Sequence, residues 1–359
     1  MNREKSIRKR HLYLLYMLLP VIGLIGFLLP FLGKYLVNKV LKRAGHFTGS
    51  IRRFSVSPFG GGFAFGGFYM LTTAAGLDSP LRFMKAGGIK LNINRLKLWK
   101  GILDIEIFID SPTIIFSGES AVWHQKLEDA MAISSLRMEV PVVVSRMEIT
   151  NCELEYIDSK AQPLVDLVLS NLQVTARNLV TSTVESTELP SQIDISGKLY
   201  NGSFNANIKA NLSGTTPAFD VNAELKNLDL TRLNSFFKAY GNFDVNKGTI
   251  SIFAEAAAKN TAFKGYVKPE VFDLDVLGPE DRYKSFLNRV WQGVLGAGAT
   301  IFRNPAEKEL ATKVPFSGTF KAPHTNIFYA ATEVLVNAFV KALKPSIDYD
   351  IDIHSVGGK

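Results

Sequence analysis

The residues that could carry out chemistry are few in this chain and widely spaced. No two histidines have the spacing of metal ligands, and none lies in a recognisable acid–base or triad motif. They are His11, His46, His124, His324 and His354. Since nucleophilic and metal-assisted catalysis both need such groups in defined combinations, the sequence predicts no enzyme activity, no metal site and no cofactor.

Three other features could bind a ligand or react. Cys152 is the only cysteine, so the chain can form no internal disulfide, and its strand-like surroundings predict a small buried hydrophobic residue. Asp348, Asp350 and Asp352 share one face of a terminal strand, but carboxylates about 6.6 Å apart along a strand are too distant for one ion. The glycine-rich run Phe59–Gly67 lacks the GK[ST] of a phosphate loop and predicts a bend in a sheet.

The net charge of +8 is concentrated in the N-terminal segment. Residues 1–53 carry eleven Lys/Arg and one Glu, whereas the rest of the chain has 30 basic and 32 acidic residues. A nucleic-acid-binding protein would carry its basic residues on the folded body. The distribution therefore predicts no nucleic-acid partner and suggests that the basic segment lies near a membrane.

Residues 12–33 form an uncharged run of 22 residues, which is long enough to span a bilayer core of about 30 Å as a helix. A cleaved signal peptide is the alternative, but its apolar region is usually about 7–15 residues long and ends at a small-residue cleavage site. We therefore expect an uncleaved transmembrane helix after a basic cytoplasmic tail, residues 1–11. The positive-inside rule weakly favours this orientation.

Residues 34–45 are expected to form an amphipathic juxtamembrane helix. Apolar residues recur there at helical spacing between four basic ones, which would lie at the membrane surface near acidic lipids. The basic residues are Lys34, Lys39, Lys42 and Arg43. The solvated end of the anchor helix is the simpler alternative.

Residues 46–280 are dominated by alternation of apolar and polar side chains, which predicts strands with one apolar face. The clearest run is Phe204–Leu212, and the short Gly- and Asn-containing connections favour antiparallel pairing. Short helices are expected at Val122–Met131 and Thr231–Tyr240. The fold class is therefore mainly β with a few helices.

Residues 281–359 are expected to form a C-terminal cap in the order helix, strand, helix, strand. Two apolar stripes at helical spacing, within 283–295 and 327–342, predict its helices. Two such helices cannot cover the apolar face of a sheet of a dozen or more strands. The rest of the face must close as a sandwich or barrel, or stay open as an apolar groove, and the pattern favours neither.

The order of these elements, together with several segments, resembles the AsmA-like family of bacterial envelope proteins, in particular its short, uncharacterised branch. The segments are Val144–Asp158, Ser170–Val174, Ala223–Leu233, Ala311–Phe320 and Val336–Leu343. The resemblance covers most of the chain and carries no catalytic residues. It implies a single-pass inner-membrane protein with a periplasmic body. It also implies a long, curved, mostly antiparallel sheet related to groove-type lipid-transfer proteins.

From the pattern and the resemblance together we expect a β-groove that binds acyl chains of membrane phospholipid and contributes to lipid transport between membranes and to outer-membrane integrity. The candidate lining residues are Val140, Val142, Ile149, Leu167, Leu169, Ile195, Phe204, Ile208, Phe219, Val221 and Ile252. The alternative is an envelope assembly or scaffold factor with a closed sandwich. Its partner would be another envelope protein or a second copy of the chain.

Overall fold

The structure is a computed structural model, and it is mainly β, as the alternation predicts. It describes residues 28–42, 47–57, 61–72, 81–117, 142–180, 188–212, 216, 218–277, 300–304 and 309–319. Fifteen strands in these ranges join one large mixed sheet. The expected tail 1–11, residues 12–27 of the expected anchor and the expected helix Val122–Met131 lie outside the described residues.

The strands vary from 4 to 17 residues in length. The first eight are β1 Phe47–Ser50, β2 Arg53–Ser57, β3 Gly62–Thr72, β4 Leu81–Ile93, β5 Leu103–Asp110, β6 Thr113–Ser117, β7 Val142–Asp158 and β8 Val165–Val180. The others are β9 Ser191–Leu199, β10 Gly202–Asn211, β11 Ala218–Asp229, β12 Asp244–Lys259, β13 Ala262–Leu277, β14 Thr300–Asn304 and β15 Glu309–Thr319.

Sequential strands are neighbours over most of the sheet and pair antiparallel, as the short connections predict. The spatial order is β1-β3-β4-β5-β7-β8-β9-β10-β11-β12-β13-β15-β14, with β2 also beside β3 and β6 beside β4 and β7. One departure from the expected meander is that β5 and β6 both run parallel to β7. A parallel neighbour needs a long crossover connection, and residues 118–141 join β6 to β7.

Four helical segments accompany the sheet in the described ranges. They are α1 at 28–41, α2 at Arg95–Leu98, a 3-10 helix at Leu230–Leu233 and α3 at Asn234–Gly241. The last two confirm the helix expected at Thr231–Tyr240. Helix α1 is one continuous helix that contains residues 28–33 of the expected anchor and residues 34–41 of the expected juxtamembrane segment 34–45. In the described part of the chain no helix is both long and apolar enough to cross a bilayer.

The two ends of the strands differ in what covers them. We call the end at Gly62, Asn92 and Leu103 the near end, and the end at Asp158 and Asp244 the far end. At the far end, α3 packs over one face and buries Phe236 and Phe237 against Val165, Val245 and their neighbours. The Asn234 side chain holds this helix in place, since its Nδ2 donates to the Val245 carbonyl at 2.9 Å and its Oδ1 accepts from the Val245 amide at 2.7 Å.

Strands β14 and β15 extend the sheet beyond β13. They fall within residues 281–359, for which the sequence predicted a cap, and β15 pairs with β13 over nearly the whole length of β15. The rest of the expected cap, including both of its helices, lies outside the described residues. The described part of this C-terminal segment therefore belongs to the same sheet as the body.

Candidate functional site

The most continuous feature of the sheet is a row of apolar residues that crosses eleven strands. Each member is directly paired with the next, so all of them lie on one face, which we call the apolar face. This apolar ladder consists of Phe54, Phe65, Ile89, Ile109, Ile149, Val174, Ile195, Ala206, Ala223, Ala254 and Val267. At about 4.8 Å per strand it extends roughly 48 Å across the sheet.

Several residues with a left-handed backbone keep apolar side chains on this face. In β8, Leu169 pairs with Leu199 and Leu172 pairs with Cys152, although strict alternation would place Leu169 and Leu172 on opposite faces. Asn171, with φ of 53°, lies between them as an inserted residue. Asparagine adopts this conformation at lower cost than most residues. Similar positions occur at Asn151, Asn178, Asn227 and Asp273.

The predicted groove residues share the apolar face wherever their side chains are described, but their environments differ. Val140 lies outside the described residues, and for Val142 only the backbone in β7 is described. Phe219 and Val221 are only 2% and 1% exposed and belong to a packed cluster with Ala210, Ala256 and Ala258. These two are core residues rather than a surface that a ligand could reach.

The remaining seven candidates are half-buried. Leu167 packs against the cluster under α3, Ile195 against the cluster of Ala176, Leu179 and Ile193, and Ile208 against this cluster and that of Phe219. The other four belong to none of these clusters and are Ile149, Leu169, Phe204 and Ile252.

The residues predicted to line a groove do not include the first third of the apolar face. Ladder residues Phe65, Ile89 and Ile109 are half-buried, and a second row of directly paired residues, Phe63, Leu91, Ile107 and Met147, runs beside them. The alternation in β4 and β5 was visible in the sequence. What the sequence could not show is that these strands join the same sheet through a parallel pair.

Helix α1 lies against the start of the ladder. Gly33 approaches the Phe54 ring so closely that any larger side chain would overlap it. The Asn38 side chain accepts from the Ile51 amide at 2.7 Å and donates to the Ile51 carbonyl at 3.3 Å. The apolar face of the sheet therefore begins directly beneath α1.

The outer surface of α1 is unusually apolar for a helix of a soluble domain. Seven large hydrophobic side chains are exposed, namely Leu28, Leu29, Phe31, Leu32, Tyr35, Leu36 and Val40. Lys34, Lys39 and Lys42 are also exposed, whereas Arg43 lies outside the described residues. Such a surface fits an acyl-chain environment with lysines that reach the headgroups.

The opposite face of the sheet is polar and forms an open depression of about 720 Å³ across β8 to β13. Its lining includes carboxylates, amides, Lys268 and the aromatic residues Phe253 and Tyr266, but no histidine or cysteine. The hydrogen bond from Tyr266 to Glu255, together with burial, raises the pKa of Tyr266 to about 12. This depression can hold water and polar groups.

The described residues contain no cluster of candidate metal ligands. No group of three His, Cys, Asp or Glu residues within the described ranges is placed to hold a metal ion, and all five histidines fall outside those ranges. Cys152 is buried, as expected, and burial with the nearby charge of Glu153 raises the pKa of its thiol to about 11.

The raised pKa predicts that Cys152 is unreactive in the folded chain. At pH 8 its thiolate fraction should be roughly 100-fold below that of a free cysteine, and burial slows access further. We therefore expect alkylation by iodoacetamide to be at least about 100-fold slower in the native chain than in urea. Cys152→Ser with Ser196→Cys, which puts a thiol on the exposed polar face, should react at the rate of a free thiol. Equal rates for Cys152 in native and unfolded chains would contradict the burial of β7.

No protein-family model matches the chain, and no curated protein matches its sequence.

Proposed function

We propose that this chain is a membrane-anchored protein that binds lipid acyl chains on the apolar face of its sheet. As the AsmA-like resemblance implies, it would contribute to phospholipid transport in the bacterial envelope and to outer-membrane integrity, with its body in the periplasm. The observation that carries the proposal is that the apolar ladder begins next to α1, whose outer surface consists of exposed apolar side chains. A lipid acyl chain that leaves the bilayer along α1 would contact Phe54 and then an unbroken row of apolar side chains.

The energetics of such a surface suit reversible binding. Each acyl methylene removed from water stabilises the complex by about 0.8 kcal/mol, without any directional contact. Half-buried residues such as Phe65, Ile89 and Ile109 leave part of their side chains accessible for this contact. The charged headgroup could stay in water at the edge of the sheet. Binding of this kind needs no catalytic group.

Crosslinking from the two faces of the sheet tests the proposal. The photoreactive amino acid p-benzoylphenylalanine would replace Phe65 on the apolar face or Phe108 on the polar face, in the full chain within its native membrane. Phe108 pairs with Lys90 and Glu148 and is a matched aromatic control. We expect phospholipid adducts at position 65 and far fewer at position 108, measured by mass spectrometry of the purified chain.

The same experiment separates the alternative function. Protein adducts at position 65 without lipid adducts would favour an assembly or scaffold factor whose apolar face binds an envelope protein or a second copy of the chain. The burial of Phe219 and Val221 is the observation that favours this alternative, because a packed core occupies that part of the face.

A further inference from the structure

The connection between β4 and β5 presents two large apolar side chains to solvent. Trp99 is 90% exposed and Leu96 is 78% exposed, and both belong to a tight turn at Asn94–Gly101 that contains helix α2. Residues three apart lie on the same side of a helical turn, so the two side chains form one apolar knob. We call Asn94–Gly101 the tip.

A hydrogen bond and an ion pair hold the backbone of the tip in place, although its apolar side chains are exposed. Asn94 caps α2 through a hydrogen bond from the Lys97 amide, and Gly101, with φ of 76°, ends the helical turn. The Lys97 ammonium lies 2.8 Å from Asp104, whose side chain is only 3% exposed. A preformed turn with exposed Trp and Leu side chains indicates a contact surface rather than a poorly packed loop.

Cationic residues surround this knob. Arg95, Lys97 and Lys100 lie within the tip, whereas Asp104 at its base is the acidic residue paired with Lys97. Tryptophan and leucine beside lysine and arginine form the composition that inserts into the boundary between acyl chains and headgroups. Each cation near an anionic bilayer surface strengthens binding about five-fold.

The position of the tip supplies an independent argument. Gly62 pairs with Asn92, so the tip lies at the near end of the sheet. Helix α1 runs along β1 and β2 with its N-terminus toward this same end, because Asn38 bonds Ile51 while Gly33 contacts Phe54 further along β2. The N-terminus of α1, which contains residues 28–33 of the uncharged run, therefore lies toward the end of the sheet where the tip is found.

We propose that the tip is a second membrane contact, which inserts Trp99 and Leu96 into the interfacial region of the bilayer that holds the N-terminal segment. The partner is a lipid surface rich in anionic headgroups. This inference rests on the membrane attachment in the proposed function. Two contacts at one end of the strands hold the near end against the bilayer and point the far end, capped by α3, away from it.

Tryptophan fluorescence of the full chain tests this arrangement. Trp123→Phe and Trp291→Phe leave Trp99 as the sole tryptophan. The chain is reconstituted in vesicles of phosphatidylcholine and phosphatidylglycerol, with or without phosphatidylcholine brominated on its acyl chains. We expect the Trp99 emission to lie at shorter wavelength than that of a water-exposed tryptophan and to be strongly quenched by the bromines.

The matched control moves the tryptophan to the far end. Adding Trp99→Phe and Leu164→Trp to the variant that already carries Trp123→Phe and Trp291→Phe places the sole tryptophan at position 164. Leu164 is 55% exposed and lies in the connection between β7 and β8 at the far end. A strand as long as β7 separates the two ends by about 55 Å. This tryptophan should emit like an exposed indole and show no quenching. In the chain with Trp99 as its sole tryptophan, Leu96→Asp should remove most of the quenching by the brominated lipid, while the chain still floats with the vesicles.

Three outcomes would overturn the inference or its premise. Unquenched Trp99 emission at the wavelength of exposed indole, in a chain that floats with the vesicles, would show that the tip does not touch the bilayer although the chain is anchored. Emission at short wavelength without quenching would mean that protein covers the tip. A chain that does not float would refute the membrane attachment itself.

Discussion

Replacing Phe219 with alanine should lower the free energy of unfolding by about 3–5 kcal/mol. The ring is 2% exposed and packs against Val221 in the same strand and against Ala210, Ala256 and Ala258 in the neighbouring strands. These neighbours are small, and paired strands hold their backbones in place, so the cavity left by the ring cannot collapse. Urea unfolding of the full chain in detergent, followed by circular dichroism, measures the loss.

Asp220→Ala is the matched control for this substitution. Asp220 follows Phe219 in β11 but lies exposed on the polar face, and its loss should change the free energy of unfolding by no more than about 0.5 kcal/mol. Similar small effects of both substitutions would mean that Phe219 lies on an accessible surface. The part of the apolar face around Phe219 would then be available to lipid.

Replacing Ile149 with aspartate should reduce the phospholipid that co-purifies with the full chain about 10- to 50-fold. Ile149 is a half-buried ladder residue outside the three packed clusters, so a lipid chain on the ladder would pass over it. A carboxylate facing hydrocarbon costs about 2.5 kcal/mol or more, and part of this cost is avoided where the side chain can reach water. Native mass spectrometry before and after denaturation measures the bound lipid.

Thr150→Asp controls for the added charge. Thr150 is the next residue in β7 and is exposed on the polar face, where its hydroxyl lies 3.3 Å from Asp110. Lipid content should stay close to that of the unaltered chain. Both variants must keep the thermal unfolding midpoint of the parent to within a few degrees. Undiminished lipid in a folded Ile149→Asp chain would refute binding on the ladder.

The two substitutions, of Phe219 and of Ile149, test two regions of the apolar face that differ in how they are packed. Around Phe219 and beneath α3 the face is packed core, and its residues stabilise the sheet. From Phe54 to Ile149 the ladder is half-buried beyond its first contact with α1. The lipid-binding region we propose is therefore the N-terminal part of the sheet, next to the helix and the tip that face the membrane.

Much of the secondary structure was predictable from local pattern alone. Period-two alternation identified strands such as β10 and β11 because one of their faces is apolar and the other polar. The helical segment at 230–241 was predictable from its apolar spacing. The burial of Cys152 was predictable from its place in a strand pattern, and the structure confirms it.

Other features depended on contacts between residues distant in sequence. The inserted residues Asn151 and Asn171 shift the alternation, so which side chains of β7 and β8 share a face is decided by strand pairing rather than by position in the sequence. The parallel pairing of β5 with β7 is equally non-local. It brings Phe65, Ile89 and Ile109 into line with Ile149, and no local pattern encodes this.

Burial was the property least accessible from the sequence. Phe204 and Phe219 are both apolar-face residues at the start of an alternating run, yet one is half-buried and the other is core. The segment Arg95–Lys100 has an ordinary composition for a short helical turn, and only the structure shows Trp99 exposed at the end of the sheet nearest the start of α1. Sequence alone determined the type of element and, in strands without an inserted residue, its apolar face, because these follow from local periodicity. Tertiary structure decided which parts of that face are packed and which remain open, because burial depends on which distant segments come to lie above each side chain.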